Sequence, residues 1–174
     1  MNKKEKIDNF INNISDILIK NYISNIEETN YHFIVKGKPI NYVRERSGKN
    51  HFYNPKESLM KDYKNKFISS LTEEQKKYTK NIITNENSDY YIEMIAKYYL
   101  PIPVGDSAEK TALKELKIIR PIIRPDLDNY DKFLIDSLHD VVYDDDKRVV
   151  RIDSEKYYSL NPRTELDIKI IYKK

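Results

Sequence analysis

Two short groups of aspartates have the residue types and spacing needed to hold a metal ion. Asp126 and Asp128 lie two residues apart, and the run Asp144–Asp146 follows after roughly one helix length. Clustered carboxylates repel one another, so a folded protein keeps them together mainly when a divalent cation lies between them. Lys132 lies one helical turn beyond Asp128, where it could neutralise a phosphate oxygen or the charge of a transition state. The pattern indicates magnesium-dependent phosphate chemistry.

A metal held by aspartates can orient a water molecule, lower its pKa and stabilise a phosphoryl oxygen. No serine with an adjacent base suggests a covalent nucleophile, and the chain has no cysteine, so hydrolysis by activated water is the simpler expectation. Structural interpretations stay open, because Asp128 could cap a helix and Asp144–Asp146 could form a polar turn. An EF-hand is excluded, since Asp131 and Ser137 occupy the loop positions that need glycine and glutamate.

The composition limits the class of protein. The 174 residues suit one domain, perhaps with an appended arm, and the apolar fraction of 39% and charged fraction of 34% are typical of a globular chain. The absence of cysteine excludes disulfides and thiolate zinc sites, and the three histidines are too scattered to favour a histidine-rich metal site. No signal-peptide pattern or long apolar run occurs, so we expect a cytoplasmic protein that does not bind membranes.

The charges are distributed unevenly. Residues 124–153 contain nine Asp and five Lys or Arg, a net charge of −4. Because the whole chain has a net charge of +3, the residues outside this range carry +7. An acidic island in a basic frame is typical of an enzyme whose frame binds a polyanion while the island holds metal. Ordinary solvated lysine faces are the alternative explanation.

Hydrophobic periodicity predicts helices and strands that must position these residues. The predicted strands cover residues 31–35, 90–100, 148–155 and 166–172, and residues 40–46 and 118–124 are predicted to be extended. The predicted helices cover residues 5–28, the segments after Asn54 and Thr72, and residues 107–116 and 128–141. We therefore expect an α/β or α+β fold with a small mixed β-sheet flanked by helices, in which residues 1–29 are an extra helical extension and residues 30–174 form the main domain.

The central motif resembles the core signature of the RusA family of Holliday junction resolvases. It consists of Pro125-Asp126-Leu127-Asp128-Asn129, then Lys132 and Asp136, then Val142-Tyr143-Asp144-Asp145-Asp146-Lys147-Arg148-Val149-Val150. Upstream, Gly37-Lys38-Pro39 followed by Arg44 and Arg46 is similar to the opening strand of that family. The resemblance covers roughly residue 31 to the C-terminus.

The resemblance implies a small, dimeric endonuclease that cuts four-way DNA junctions by paired nicks. It implies dependence on Mg²⁺, with Mn²⁺ as a possible substitute, and no small-molecule cofactor. By motif, Asp126 and Asp128 match the first two catalytic acids and Asp146 matches the third, while Asp145 matches the other acid of the pair. These four residues are the expected metal ligands.

The same resemblance assigns roles to further residues. Lys132 matches the catalytic-site lysine, and Asn129 is expected to orient a carboxylate. Pro125 stands where some members have arginine, and the extra Asp144 leaves a one-residue ambiguity about which acids bind metal. The residues expected nearest the DNA are Lys38, Arg44, Arg46 and Arg124.

The sequence leaves three functions open. The first is the junction resolvase, which would recognise its substrate through two active sites in a symmetric homodimer. The second is a different metal-dependent nuclease or phosphatase that acts on other branched DNA or on RNA. The third is a catalytically inactive DNA-binding protein. Apolar edges of the last strand, or the predicted 5–28 helix, are candidate surfaces for dimerisation.

Overall fold

The computed structural model describes residues 2–14, 16–43, 46–47, 52–53, 57–84 and 89–173. Within these ranges the chain forms six helices, one 3₁₀ turn and six strands. Their order is α1 (Lys3–Asn13), α2 (Asp16–Ser24), β1 (Ile26–Lys36), β2 (Arg46–Ser47), β3 (Phe52–Tyr53), α3 (Glu57–Ser70), α4 (Glu73–Thr84), β4 (Tyr90–Pro101), α5 (Ala108–Glu115), α6 (Leu127–Leu138), a 3₁₀ turn (Asp146–Arg148), β5 (Val149–Ser159) and β6 (Arg163–Lys173). No described helix is both long enough and apolar enough to span a bilayer.

Four of the strands form a mixed sheet in the order β1-β6-β4-β5. Strand β6 pairs antiparallel with both β1 and β4, whereas β4 and β5 run parallel. The predicted mixed sheet of an α+β fold is confirmed. Because β6 lies inside the sheet and both of its edges are paired, the expectation that the last strand offers an edge for dimerisation is wrong.

Alternation along the strands puts the core on one face of the sheet. Strand β4 buries Ile92, Met94 and Ala96, whereas Tyr91 and Ile95, at alternate positions, are largely exposed. Helices α3 and α6 cover the buried face. Phe67 of α3 packs edge to face on Phe33 of β1, with 4.2 Å between the ring centroids. Tyr63 of α3 packs in the same way on Phe133 of α6, with 5.6 Å between the centroids.

The N-terminal region differs from its prediction. Residues 5–28 do not form one helix, because α1 ends at Asn13, Ile14 takes an extended conformation and α2 ends at Ser24. Strand β1 begins at Ile26 instead of Tyr31, since β6 offers hydrogen-bonding partners along its full length and Ile26 pairs with Lys173. The apolar side chains described on these helices are exposed: Ile7, Ile11, Ile14, Leu18, Ile19 and Ile23.

The other predictions are mostly confirmed. Strand β4 lies where predicted, Ser107 accepts a hydrogen bond from the Lys110 amide at the start of α5, and Thr72 and Gln75 form the predicted reciprocal cap. The two segments predicted to be extended form no strand in residues 40–43 and 118–124, whereas Arg46 of the first segment pairs with Tyr53 in β3. The predicted Asn54 cap lies outside the described residues.

Truncation of a core leucine tests this packing. Leu166→Ala should lower the free energy of unfolding by about 2–5 kcal/mol, because Leu166 in the central strand is fully buried (0% exposed) and its loss leaves a cavity. The matched control, Leu160→Ala, should change it by less than about 0.5 kcal/mol, because Leu160 is 64% exposed. Urea denaturation followed by circular dichroism would measure both, and equal losses would contradict the fold.

Candidate active site

The start of α6 carries the first pair of acids. Asp126 is the N-cap residue, with extended backbone angles of φ −69° and ψ 158°, yet its side chain makes no capping hydrogen bond. Asp128 lies in the first helical turn, so the interpretation of Asp128 as the cap is wrong. Both residues are exposed. Two carboxylates are thus available to a ligand at the positive end of the helix dipole.

Helical spacing separates the buried and exposed faces of α6. The buried stripe includes Tyr130, Phe133, Leu134 and Leu138, as the sequence predicted. The positions four residues apart, Asp128, Lys132 and Asp136, lie on the other face, where the first two are exposed and Asp136 is half-buried. The helix therefore presents an acid, a base and a second acid along one line.

Asp131 fixes α6 to the sheet. Its carboxylate accepts hydrogen bonds from the Tyr98 hydroxyl on β4 (2.9 Å) and the Ser154 hydroxyl on β5 (2.8 Å). Burial raises the pKa of Asp131, the two hydrogen bonds oppose this, and the Asp128 charge adds to it. This role of Asp131 is not visible in the sequence, because its partners lie on strands that only the fold brings beneath the helix.

The segment that leads into Asp126 is held by Lys156 of β5. Its ammonium donates to the backbone carbonyls of Ile123 (3.0 Å) and Pro125 (3.1 Å). Arg120 Nε in turn donates to the Lys156 carbonyl at 2.9 Å. These bonds fasten the irregular segment before α6 to an ordered strand. Nothing in the local sequence distinguishes Lys156 from a surface lysine, so this role could not be predicted.

The segment after β1 reaches the other side of α6. Gly37 turns the chain with a φ of 106°, a conformation that glycine adopts without steric cost. Further along, the Tyr42 amide donates to the Asn129 carbonyl at 2.6 Å. The Lys132 ammonium lies 4.1 Å from the centroid of the Tyr42 ring. The Gly-Lys-Pro segment is thereby joined to the helix that carries the acids.

Asn129 contacts one of these acids. Its side-chain amide donates to Asp128 Oδ1 at 3.3 Å. This is the type of contact that orienting a carboxylate requires, and the orienting role itself stays a prediction.

The three consecutive aspartates have different surroundings. The Asp144 carboxylate accepts hydrogen bonds from the Tyr90 hydroxyl (2.7 Å) and from Arg148 Nε (3.1 Å). Hydrogen bonding by Arg148 is the main reason why the pKa of Asp144 is lowered to about 2. Asp145 accepts from the Lys147 amide at 3.0 Å and forms an ion pair with the Lys147 ammonium at 2.8 Å. Asp144 therefore has a structural contact that competes with metal binding.

The charge of Asp146 acts on Asp136 in α6. Burial is the main reason why the pKa of Asp136 is raised, the nearby Lys132 charge lowers it, and the Asp146 charge raises it further. Asp146 is itself exposed. Asp146 therefore lies close enough to Asp136 for their charges to interact, and its place beside Asp126 and Asp128 stays a prediction.

The donor set can be compared with what magnesium needs. In the part of the chain that the structure describes, no three His, Cys, Asp or Glu side chains are placed to hold a metal ion together. Magnesium is usually bound by one or two carboxylates plus waters and substrate phosphates, not by an all-protein cage. The two exposed carboxylates of Asp126 and Asp128 are enough to meet this requirement. That Asp145 and Asp146 are further ligands stays a prediction.

The predicted DNA contacts are only partly described. Lys38 and Arg124 are exposed, on the segments that lead from β1 and into α6. Arg46 lies in β2 opposite Tyr53. Arg44 falls outside the described residues. The DNA-binding roles of all four stay predictions.

The comparison with known proteins decides the family. The sequence model described as "Endodeoxyribonuclease RusA" matches residues 33–169. The chain belongs to the RusA family of endodeoxyribonucleases. The matched range includes all of the predicted site residues, from the Gly-Lys-Pro turn to the acids after α6, and confirms the resemblance seen in the motif. Helices α1 and α2 lie before the matched range.

The chain is also similar to a curated bacterial protein. The chain is 33% identical over 143 residues to "Uncharacterized protein YqaN" of Bacillus subtilis (strain 168). The alignment covers 79% of this chain and 94% of the relative. The printed name of this relative assigns no activity, so it adds sequence similarity but no information on the substrate.

Neighbouring aspartates provide a test of the different surroundings in the Asp run. Asp144→Asn should lower the free energy of unfolding at pH 7 by about 1 kcal/mol, because a charged, partly exposed hydrogen-bond pair with Arg148 is lost. Asp146→Asn should change it by less than about 0.5 kcal/mol, since Asp146 is exposed. Chemical denaturation would compare them, and a larger loss for Asp146→Asn would contradict this geometry.

Proposed function

We propose that the protein is a magnesium-dependent endodeoxyribonuclease that resolves four-way DNA junctions by paired nicking, in DNA recombination and repair. The observation that carries this proposal is the first turn of α6, where Asp126 and Asp128 expose two carboxylates and Lys132 follows one turn later. These residues lie within the range that matches the endodeoxyribonuclease family.

In this proposal the acids hold Mg²⁺, or Mn²⁺ as a substitute, with Asp126 and Asp128 as the main ligands and Asp145 and Asp146 as further ones. When bound, the metal would activate a water molecule and stabilise charge on a phosphate oxygen. Lys132 supplies a positive charge to the phosphate that is attacked, which favours the more highly charged transition state. Asn129 orients Asp128 through its amide. No covalent intermediate with the protein is required.

Basic residues outside the acidic island would position the DNA. Lys38, Arg44, Arg46 and Arg124 are proposed to contact backbone phosphates, which would make binding independent of sequence and sensitive to salt. A symmetric homodimer would place two sites at a fixed separation, so that a four-way junction presents one scissile phosphate to each. The paired nicks then follow from symmetry.

A panel of labelled DNA substrates tests the proposal. The purified chain is incubated with a synthetic four-way junction, a flap, a fork, a linear duplex and an RNA junction, each with Mg²⁺ and with a chelator. We expect symmetric nicks in the four-way DNA junction, with Mg²⁺ only. Equal cleavage of flaps, forks or RNA would support a different nuclease, and junction binding with no cleavage would support an inactive DNA-binding protein.

Substitution of single acids tests the metal ligands. Asp126→Asn and Asp146→Asn should each slow junction cleavage by more than about 100-fold, because a charged ligand is lost where charge develops. Junction binding, measured in chelator by gel shift, should persist or become tighter, since negative charge near DNA is removed. The control Asp167→Asn should cleave at the wild-type rate, because Asp167 is exposed while its neighbours Leu166 and Ile168 are buried on the opposite face of the sheet. Parallel loss of binding and cleavage would count against metal-ligand roles.

A further inference from the structure

We infer that Tyr42 is a positioning residue that holds the ammonium of Lys132 at the active site. This inference deepens the proposed function and depends on it for the catalytic role of Lys132. The observation that carries it is the contact across the site. The Lys132 ammonium lies 4.1 Å from the centroid of the Tyr42 ring, well within the range of a cation–π interaction.

The Tyr42 ring is itself fixed relative to α6. The Tyr42 amide donates to the Asn129 carbonyl at 2.6 Å, and the Asn41 side-chain amide donates to the Tyr42 carbonyl at 2.9 Å. Asn129 lies three residues before Lys132 in the same helix. The hydrogen bond and the ring contact therefore join two neighbouring points of α6 to one residue, so the ring moves with the helix that carries the lysine.

Lys132 needs such a partner. Its side chain is exposed, and a free lysine populates many rotamers, of which only some reach a phosphate beside Asp126 and Asp128. The nearby Asp136 carboxylate, whose pKa burial raises and the Lys132 charge lowers, offers the ammonium a second location one turn further along the helix. The Tyr42 ring attracts the ammonium without neutralising it, because a ring face has no net charge. Catalysis benefits when a group is held in advance near its position of action.

The same contact connects DNA binding with catalysis. Tyr42 lies between Lys38 and Arg46, on the segment proposed to meet the DNA backbone. A phosphate bound by this segment would affect the position of Tyr42, and through it the position of Lys132. Leucine at position 42 keeps the backbone hydrogen bond to Asn129 but removes the aromatic face, whereas phenylalanine keeps both and removes only the hydroxyl.

A double-mutant cycle tests the inference through cleavage. Single-turnover rates on a four-way junction with saturating Mg²⁺ are measured for Tyr42→Leu and Tyr42→Phe, each alone and combined with Lys132→Ala. We expect Tyr42→Leu to slow cleavage by about 3- to 30-fold, in the range of a cation–π contact, and Tyr42→Phe to stay within about 2-fold. In the Lys132→Ala background, Tyr42→Leu should cause no further slowing. Equal slowing by leucine and phenylalanine, or undiminished slowing without the lysine, would overturn the inference.

A spectroscopic readout separates this inference from the proposed function. In protein labelled with ¹³C-lysine, the Lys132 ε-methylene signal is assigned by its absence from Lys132→Arg. Ring current should shift its protons upfield in the wild type and in Tyr42→Phe but not in Tyr42→Leu. If the wild type cleaves no junction while this shift is present, the proposed function fails and the contact stands. If the shift is absent from the wild type, the positioning role is wrong whatever the protein cleaves.

Discussion

The attachment of α6 to the sheet is the constraint on which the rest of the site depends. One face of the helix buries aromatic and aliphatic side chains, and its Tyr130 ring stacks on Tyr98 of β4 with 5.0 Å between the ring centroids. Beside that stack, Asp131 accepts hydrogen bonds from β4 and β5. A helix held on its inner face can turn very little, so the outward directions of Asp128 and Lys132 are fixed by residues that never meet the substrate.

Three segments without long regular structure converge on this helix, and each is tied down by a polar contact of its own. Tyr42 fixes the segment after β1, Lys156 fixes the segment before Asp126, and Asp144 with Arg148 fixes the turn that carries Asp146. Asp144 is paired with Arg148 while Asp146 stays exposed, and Lys156 binds the carbonyls before the exposed Asp126. Many like charges can be concentrated in one region because some of them already have partners within the protein.

The sequence predicts much of this arrangement, and the exceptions have physical causes. Strand β4, helix α6 and the exposed acids on α6 follow from periodicity, since their burial is decided along a single element. The start of β1 at Ile26 depends on pairing with β6, which no local pattern encodes. Asp144 and Asp146 are identical in type, so only the contact with Arg148 distinguishes them. Asp131 and Lys156 find partners about thirty residues away, which periodicity cannot detect.

In the proposed function, acids at the start of α6 and in the turn after it bind one ion, although they are far apart in sequence. The most direct measurement is a crystal structure of the protein with Mn²⁺ and a junction fragment, in which anomalous scattering locates the metal. We expect an anomalous peak within coordination distance of carboxylate oxygens of Asp126 and Asp128, with Asp146 contacting the ion directly or through one water. A peak bound elsewhere, or a site with Asp146 turned away from the metal, would contradict it.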